Sequence, residues 1–61
     1  LDQIDALEKA IEHERNSMED YKKKAELAED PETRLLFAQL AREEEVHYRK
    51  LVERLKALRA M

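Results

Sequence analysis

The chain has 61 residues, of which 44% are charged, with one proline, no glycine and no cysteine. A chain this short holds one domain at most and rarely buries enough apolar surface to be stable alone, so it calls for a staple or a partner. The missing cysteines exclude disulfides, iron-sulfur clusters and thiolate zinc sites. A net charge of -3, with bases interleaved among acids, gives no basic stripe for nucleic acid.

At the start, "LDQIDALEK" lacks the charged-then-apolar layout of a signal segment, and no apolar run approaches bilayer length. No membrane partner is expected, and the location expected is the cytoplasm. A chain opening on Leu1 reads as a processed or excised segment of something longer. From Ile4 onward, Leu7, Ile11, Glu14, Met18, Tyr21, Ala25 and Ala28 recur in steps of three and four, which keeps one stripe of a helix facing one partner. That predicts a first helix over about 2–28. Its outer face carries acid-then-base pairs four apart, Glu19 with Lys23 and Asp20 with Lys24.

The pattern breaks at "AEDPET", a turn expected over about 29–31. There Asp30 can cap a new helix, Pro31 suits its first position, and Glu32 favours the positive end of its dipole. The second helix is expected over about 31–60. Its stripe is Phe37, Leu40, Glu44, His47, Leu51, Leu55 and Leu58, with Leu36 beside it. The architecture is therefore all-α, an antiparallel helical hairpin forming one domain over 1–61. Its stripe is too long to stay exposed, so the expected assembly is a homodimer forming a four-helix bundle.

Glu14, Glu44 and His47 occupy stripe positions where apolar side chains belong. Counted from Asp30 at about 1.5 Å per residue, Glu14 lies about 24 Å down one helix, and Glu44 and His47 about 21 and 26 Å down the other. All three meet at one level near mid-hairpin. A carboxylate in such a seam costs several kcal/mol unless it is paired. Two hairpins would gather four carboxylates and two imidazoles, enough to neutralise and ligate two divalent cations. One Glu on one helix and Glu-x-x-His on the next is the constellation of di-iron carboxylate bundles. The competing reading is a structural or designed helical dimer whose buried Glu/His layer fixes register.

The set formed by Glu14 with Tyr21 seven residues on, the turn "AEDPE", and "EEEVH" holding Glu44 and His47 resembles the half-length ferritin-like proteins. These are the single-hairpin core of the rubrerythrins and, more closely, the encapsulated ferritins. The resemblance runs from about Leu7 to about Leu55 and implies a ferroxidase, oxidising Fe(II) to Fe(III) for iron handling or storage. It makes Glu14, Glu44 and His47 catalytic residues and ligands of two iron ions per dimer, with Glu44 bridging. Zinc, manganese or calcium are substitutes in that site. Tyr21 would be a hydrogen-bond donor behind the ligands, and the two-fold would put the two turns at opposite ends. The oxidant would be dioxygen or peroxide, and the wider partners a ring of dimers and an encapsulating protein shell, a nanocompartment. The family pattern also includes a further C-terminal helix and a shell-directing tail, which these 61 residues do not contain. A rubrerythrin-like peroxide-reducing half domain is the alternative activity, and without cysteine it would need an outside electron donor.

Among the neighbours of these residues, Glu43 lies one turn before His47 and could orient the imidazole as an acceptor. Glu45 points off the seam, His13 falls between stripe positions, and Tyr48 is turned to an edge.

Overall fold

The computed structural model describes residues 2–61. Two helices, α1 (Gln3–Leu27) and α2 (Pro31–Arg59), fold back on one another as a hairpin 47 Å long. Neither a strand nor a helix long and apolar enough to cross a membrane occurs among the described residues.

Each helix begins where a side chain can satisfy its first free N–H groups. Asp2 accepts from the Ile4 amide at 3.0 Å and so starts α1. Asp30 accepts from both the Thr33 hydroxyl at 2.7 Å and the Thr33 amide at 2.8 Å. Those two bonds, the hydroxyl first, hold the Asp30 carboxyl below the usual carboxylate range. Pro31 lacks an amide hydrogen and loses nothing at the first helical position, while it keeps Asp30 extended at ψ 125°. Ala28 is extended too, at ψ 132°, and its amide closes α1 on the Lys24 carbonyl at 3.0 Å. The reversal is therefore only three residues long, which forces α1 and α2 into contact along their length.

Interhelix ties sit at both ends of the hairpin. Near the turn the Arg34 Nε donates to the Ala25 carbonyl at 3.3 Å, and at the free ends Arg59 meets Glu8 at 2.7 Å. On the outer face Lys24 pairs with Asp20 at 2.9 Å, but Glu19 pairs with Lys22 at 3.7 Å rather than with Lys23. Positions three apart on a helix lie as close as positions four apart, so Lys22 competes on equal terms.

Among the described residues only Ile11, Ala41 and Leu55 are buried. The remaining stripe residues of α1, Ile4, Leu7, Met18, Tyr21, Ala25 and Ala28, are half-buried, as are Phe37, Leu40, Leu51 and Leu58 of α2. On a wheel of about 100° per residue, the direction from α2 to α1 runs through Ala41 and Leu55, with Tyr48 close beside them. Leu36, Leu40, His47, Leu51 and Leu58 lie to one flank of that line. The stripe predicted for α2 thus divides in two: an edge that packs on α1, and a flank that the chain covers only in part. Leu36 on that flank is 52% exposed. One hairpin has a single helix-helix contact, so it cannot cover a stripe this wide.

Candidate metal centre

The open flank carries the three ionisable stripe residues. Glu14 projects from the middle of α1, and Glu44 and His47 from one face of α2, three residues apart. The His47 Nδ1 lies 3.5 Å from Glu44 Oε1 and 3.9 Å from Glu14 Oε2. One donor atom from each of the three falls within 4.8 Å of the others, the one such group of three or more among the described residues.

Burial differs across the trio. The side chains of Glu14 and Glu44 are 19% and 21% exposed, whereas His47 is 54% exposed. His47 therefore does not occupy a core position within the hairpin. It lies further round the flank than Glu44 and borders the open side. Glu14 Oε2 is buried with no hydrogen-bond partner, the situation in which a carboxylate is most costly. Its carboxyl is accordingly pushed above the ordinary range, first by its hydrogen-bonding contact with Glu44, then by burial and by the Glu44 charge. Two ionised carboxylates cannot donate to each other, so the contact forms only when one of them holds a proton. The charges of His47 and His13 oppose that shift.

Two carboxylates and an imidazole, with one buried oxygen lacking a partner, fit a divalent cation. Metal-donor bonds of about 2.1 Å put donors at most about 4.2 Å apart around one ion, so a small turn of a side chain converges this group. Three donors leave coordination positions open, and His47 opens directly to the flank.

Tyr21 stands apart from the trio. It lies two turns along α1 toward the hairpin turn and stacks on Phe37, with ring centroids 6.2 Å apart and planes at 26°. The Lys24 ammonium lies 5.6 Å from the Tyr21 ring and 6.0 Å from the Phe37 ring. Since Glu14 Oε2 has no partner, the Tyr21 hydroxyl is not bonded to it. Glu43 is exposed and accepts from Gln39 at 3.5 Å, which leaves it outside the trio. His13 is exposed, one residue before Glu14.

Two residues beside the site carried no expectation of contact with each other. Arg15 lies 5.8 Å over the Tyr48 ring, on the side of the hairpin away from the open flank. The signal was positional: they follow Glu14 and His47 by one residue, about 100° further round.

The family model described as Rubrerythrin matches residues 2–59. No curated protein and no solved structure matches the chain.

Proposed function

We propose, for a chain that belongs to the rubrerythrin family of ferritin-like, iron-binding helical proteins, that it oxidises Fe(II) to Fe(III) at a two-iron site shared between two copies. The observation that carries this reading is the Glu14, Glu44 and His47 cluster, with its unpartnered Glu14 oxygen, standing on the uncovered flank of the hairpin. Two-fold pairing of that flank doubles the cluster to four carboxylates and two imidazoles, whose charge balances two ferrous ions. The same pairing covers Leu36, which one chain leaves exposed, and the half-buried Leu40, Leu51 and Leu58.

Within such a site each residue has a separate task. Glu14 and Glu44 hold the metal as carboxylates, so the proton favoured on Glu14 leaves as metal enters. His47 ligates from the open side. Two ferrous ions held there supply one electron each to a two-electron oxidant, dioxygen becoming peroxide or peroxide becoming water. Iron is then both the bound ion and the substrate, and the ferric product leaves or passes on for storage.

Anaerobic titration with Fe(II), followed by admission of air, tests the reading. Saturation near two irons per dimer with ferric absorbance after oxidation is expected, and absence of saturable binding refutes it. Bound zinc or copper alone decides nothing, because nitrogen and oxygen sites prefer both to ferrous iron. A second reading draws on the His47 distances of 3.5 and 3.9 Å: protonated, it would pair with both carboxylates and fix the register of a purely structural dimer. That dimer would form equally well without metal and show no ferrous oxidation.

A further inference from the structure

The face of the hairpin away from Glu14, Glu44 and His47 carries two charged lines. On α1, Asp5, Glu12, Glu19 and Glu26 recur every seven residues, and on α2 so do Arg42, Arg49 and Lys56. Seven residues drift only about 20° around a helix, so each line runs nearly straight, about a quarter turn from the direction of the facing helix. Both lines belong to one face, because Glu26 and Arg42 border the same depression of about 270 Å³, floored by Ala25, Ala38 and Ala41. Toward the free ends Glu12 borders another of about 400 Å³, with Ile11 and Leu55.

The lines also share their heights. Counted from Asp30 at about 1.5 Å per residue, Glu19 and Arg42 lie about 17 and 18 Å along their helices, Glu12 and Arg49 about 27 and 29 Å, and Asp5 and Lys56 about 38 and 39 Å. Within the chain these levels are not bridged. Asp5 pairs with Lys9 at 3.2 Å, Glu19 with Lys22 at 3.7 Å, Arg49 with Glu45 at 3.1 Å and Lys56 with Glu53 at 3.6 Å, each on its own helix. We infer that a second copy packs on this face with its hairpin pointing the same way, α1 of each copy over α2 of the other, so that Glu19 meets Arg42, Glu12 meets Arg49 and Asp5 meets Lys56 across the contact. The face holds no metal donor, and the contact stands or falls apart from the iron reading.

The charge pattern selects both the orientation and the occupant. A two-fold along the hairpin keeps every height and exchanges the two helices, so each acid meets a base without stagger. A two-fold across the hairpin in the plane of contact would lay α1 on α1, acids on acids. An acidic partner, a nucleic acid or an anionic surface would be drawn to the α2 line and repelled by the α1 line, whereas a second copy satisfies both. Area permits the contact: a face 47 Å long and 16 Å wide offers about 750 Å², near the ~800 Å² per partner of specific complexes. The alanine floor lets backbones approach, and Leu35, 68% exposed beside Ala25, Pro31 and Ala38, adds apolar cover near the turn. Exposed ion pairs add little each, so the lines set orientation and salt dependence rather than strength.

Charge reversal tests the pairing. Glu12→Arg/Glu19→Arg makes the α1 line basic, and Arg42→Glu/Arg49→Glu makes the α2 line acidic, so each variant alone opposes like charges. In metal-free sedimentation equilibrium at about 20 mM salt, each should associate at least tenfold more weakly than the parent with helicity retained, and an equimolar mixture should recover the parent's affinity. About 500 mM salt should weaken the parent at least tenfold. Association unchanged in either variant, no recovery on mixing, or a parent indifferent to salt overturns the pairing. Cross-linking reads the orientation. The chain has no cysteine of its own, and Glu26 and Leu35 lie outside the three charged levels, about 6 and 8 Å from the turn. Single variants Glu26→Cys and Leu35→Cys, each with one thiol and so without an internal bridge, should oxidise to a mixed disulfide when combined and stay largely uncoupled alone. Faster coupling of either variant with itself overturns the orientation.

Discussion

Replacing Glu14 by glutamine removes a charge from the ligand layer while keeping its shape, and the structure sets both the size and the pH dependence of the effect. The donor atoms of Glu14 and Glu44 lie within 4.8 Å of each other. Two like charges at that distance repel by about 0.9 kcal/mol in water and about 3.5 kcal/mol at an effective dielectric constant of 20. The side chains are 19% and 21% exposed and the flank is open, so screening by water is strong and a value of about 1–2 kcal/mol is expected for the single hairpin. The folded-state pKa of Glu14 is raised above its ordinary value of 4.5, so the folded chain binds the proton more tightly than the unfolded one. Stability is then fully present below about pH 4.5 and is lost as the pH rises through the folded pKa. Metal-free Glu14→Gln should therefore be more stable than the parent near neutral pH, by about 1–2 kcal/mol in urea melts followed by helical circular dichroism. The advantage should disappear at about pH 4, where the parent carboxyl is itself protonated. A variant less stable than the parent near neutral pH refutes this account, and shows that the Glu14 carboxylate stabilises the metal-free fold through a pairing such as that with His47.

Three further outcomes follow from the same geometry. His47→Ala should weaken Fe(II) binding by more than about a hundredfold in anaerobic calorimetry, since even the loss of a group behind a metal ligand costs about 10–100-fold; unchanged affinity would remove His47 from the site. Redox-silent Zn(II) at about a hundred times its dissociation constant should stabilise the protein by about 2.7 kcal/mol, a rise of roughly 10–20 °C in melting temperature, and chelation should reverse it. Asp30→Ala should lower the melting temperature by freeing the Thr33 amide and hydroxyl. Because the Asp30 pKa is depressed in the folded chain, the loss should be full above the ordinary carboxyl range and fade as the pH falls through the folded value.

The hairpin itself was legible because its signals are local. Asp30, Pro31 and Glu32 state where α2 begins, and counting residues from that turn places Glu14, Glu44 and His47 at one height. What counting along the chain could not divide was the width of the stripe. Steps of three and four place residues on a broad face, and only the contact between α1 and α2 separates the edge bearing Ala41 and Leu55 from the flank bearing His47. Tyr21 shows the same limit in another direction. Its seven-residue spacing from Glu14 gives the same face but a different layer, and the nearest partner in that layer is Phe37.

That division bears on function. Had His47 packed on α1, the three donors would be closed off within the hairpin; lying 54% exposed, the imidazole is the most open of the three. The exposure that makes the lone hairpin a poor core also keeps its donors reachable. Glu14 carries the cost of that arrangement, a buried oxygen without a partner that loses its penalty only by taking a proton or a metal. Proton and metal then compete for one atom, so iron loading should release protons, and release should be greatest at pH values below the raised folded pKa of Glu14.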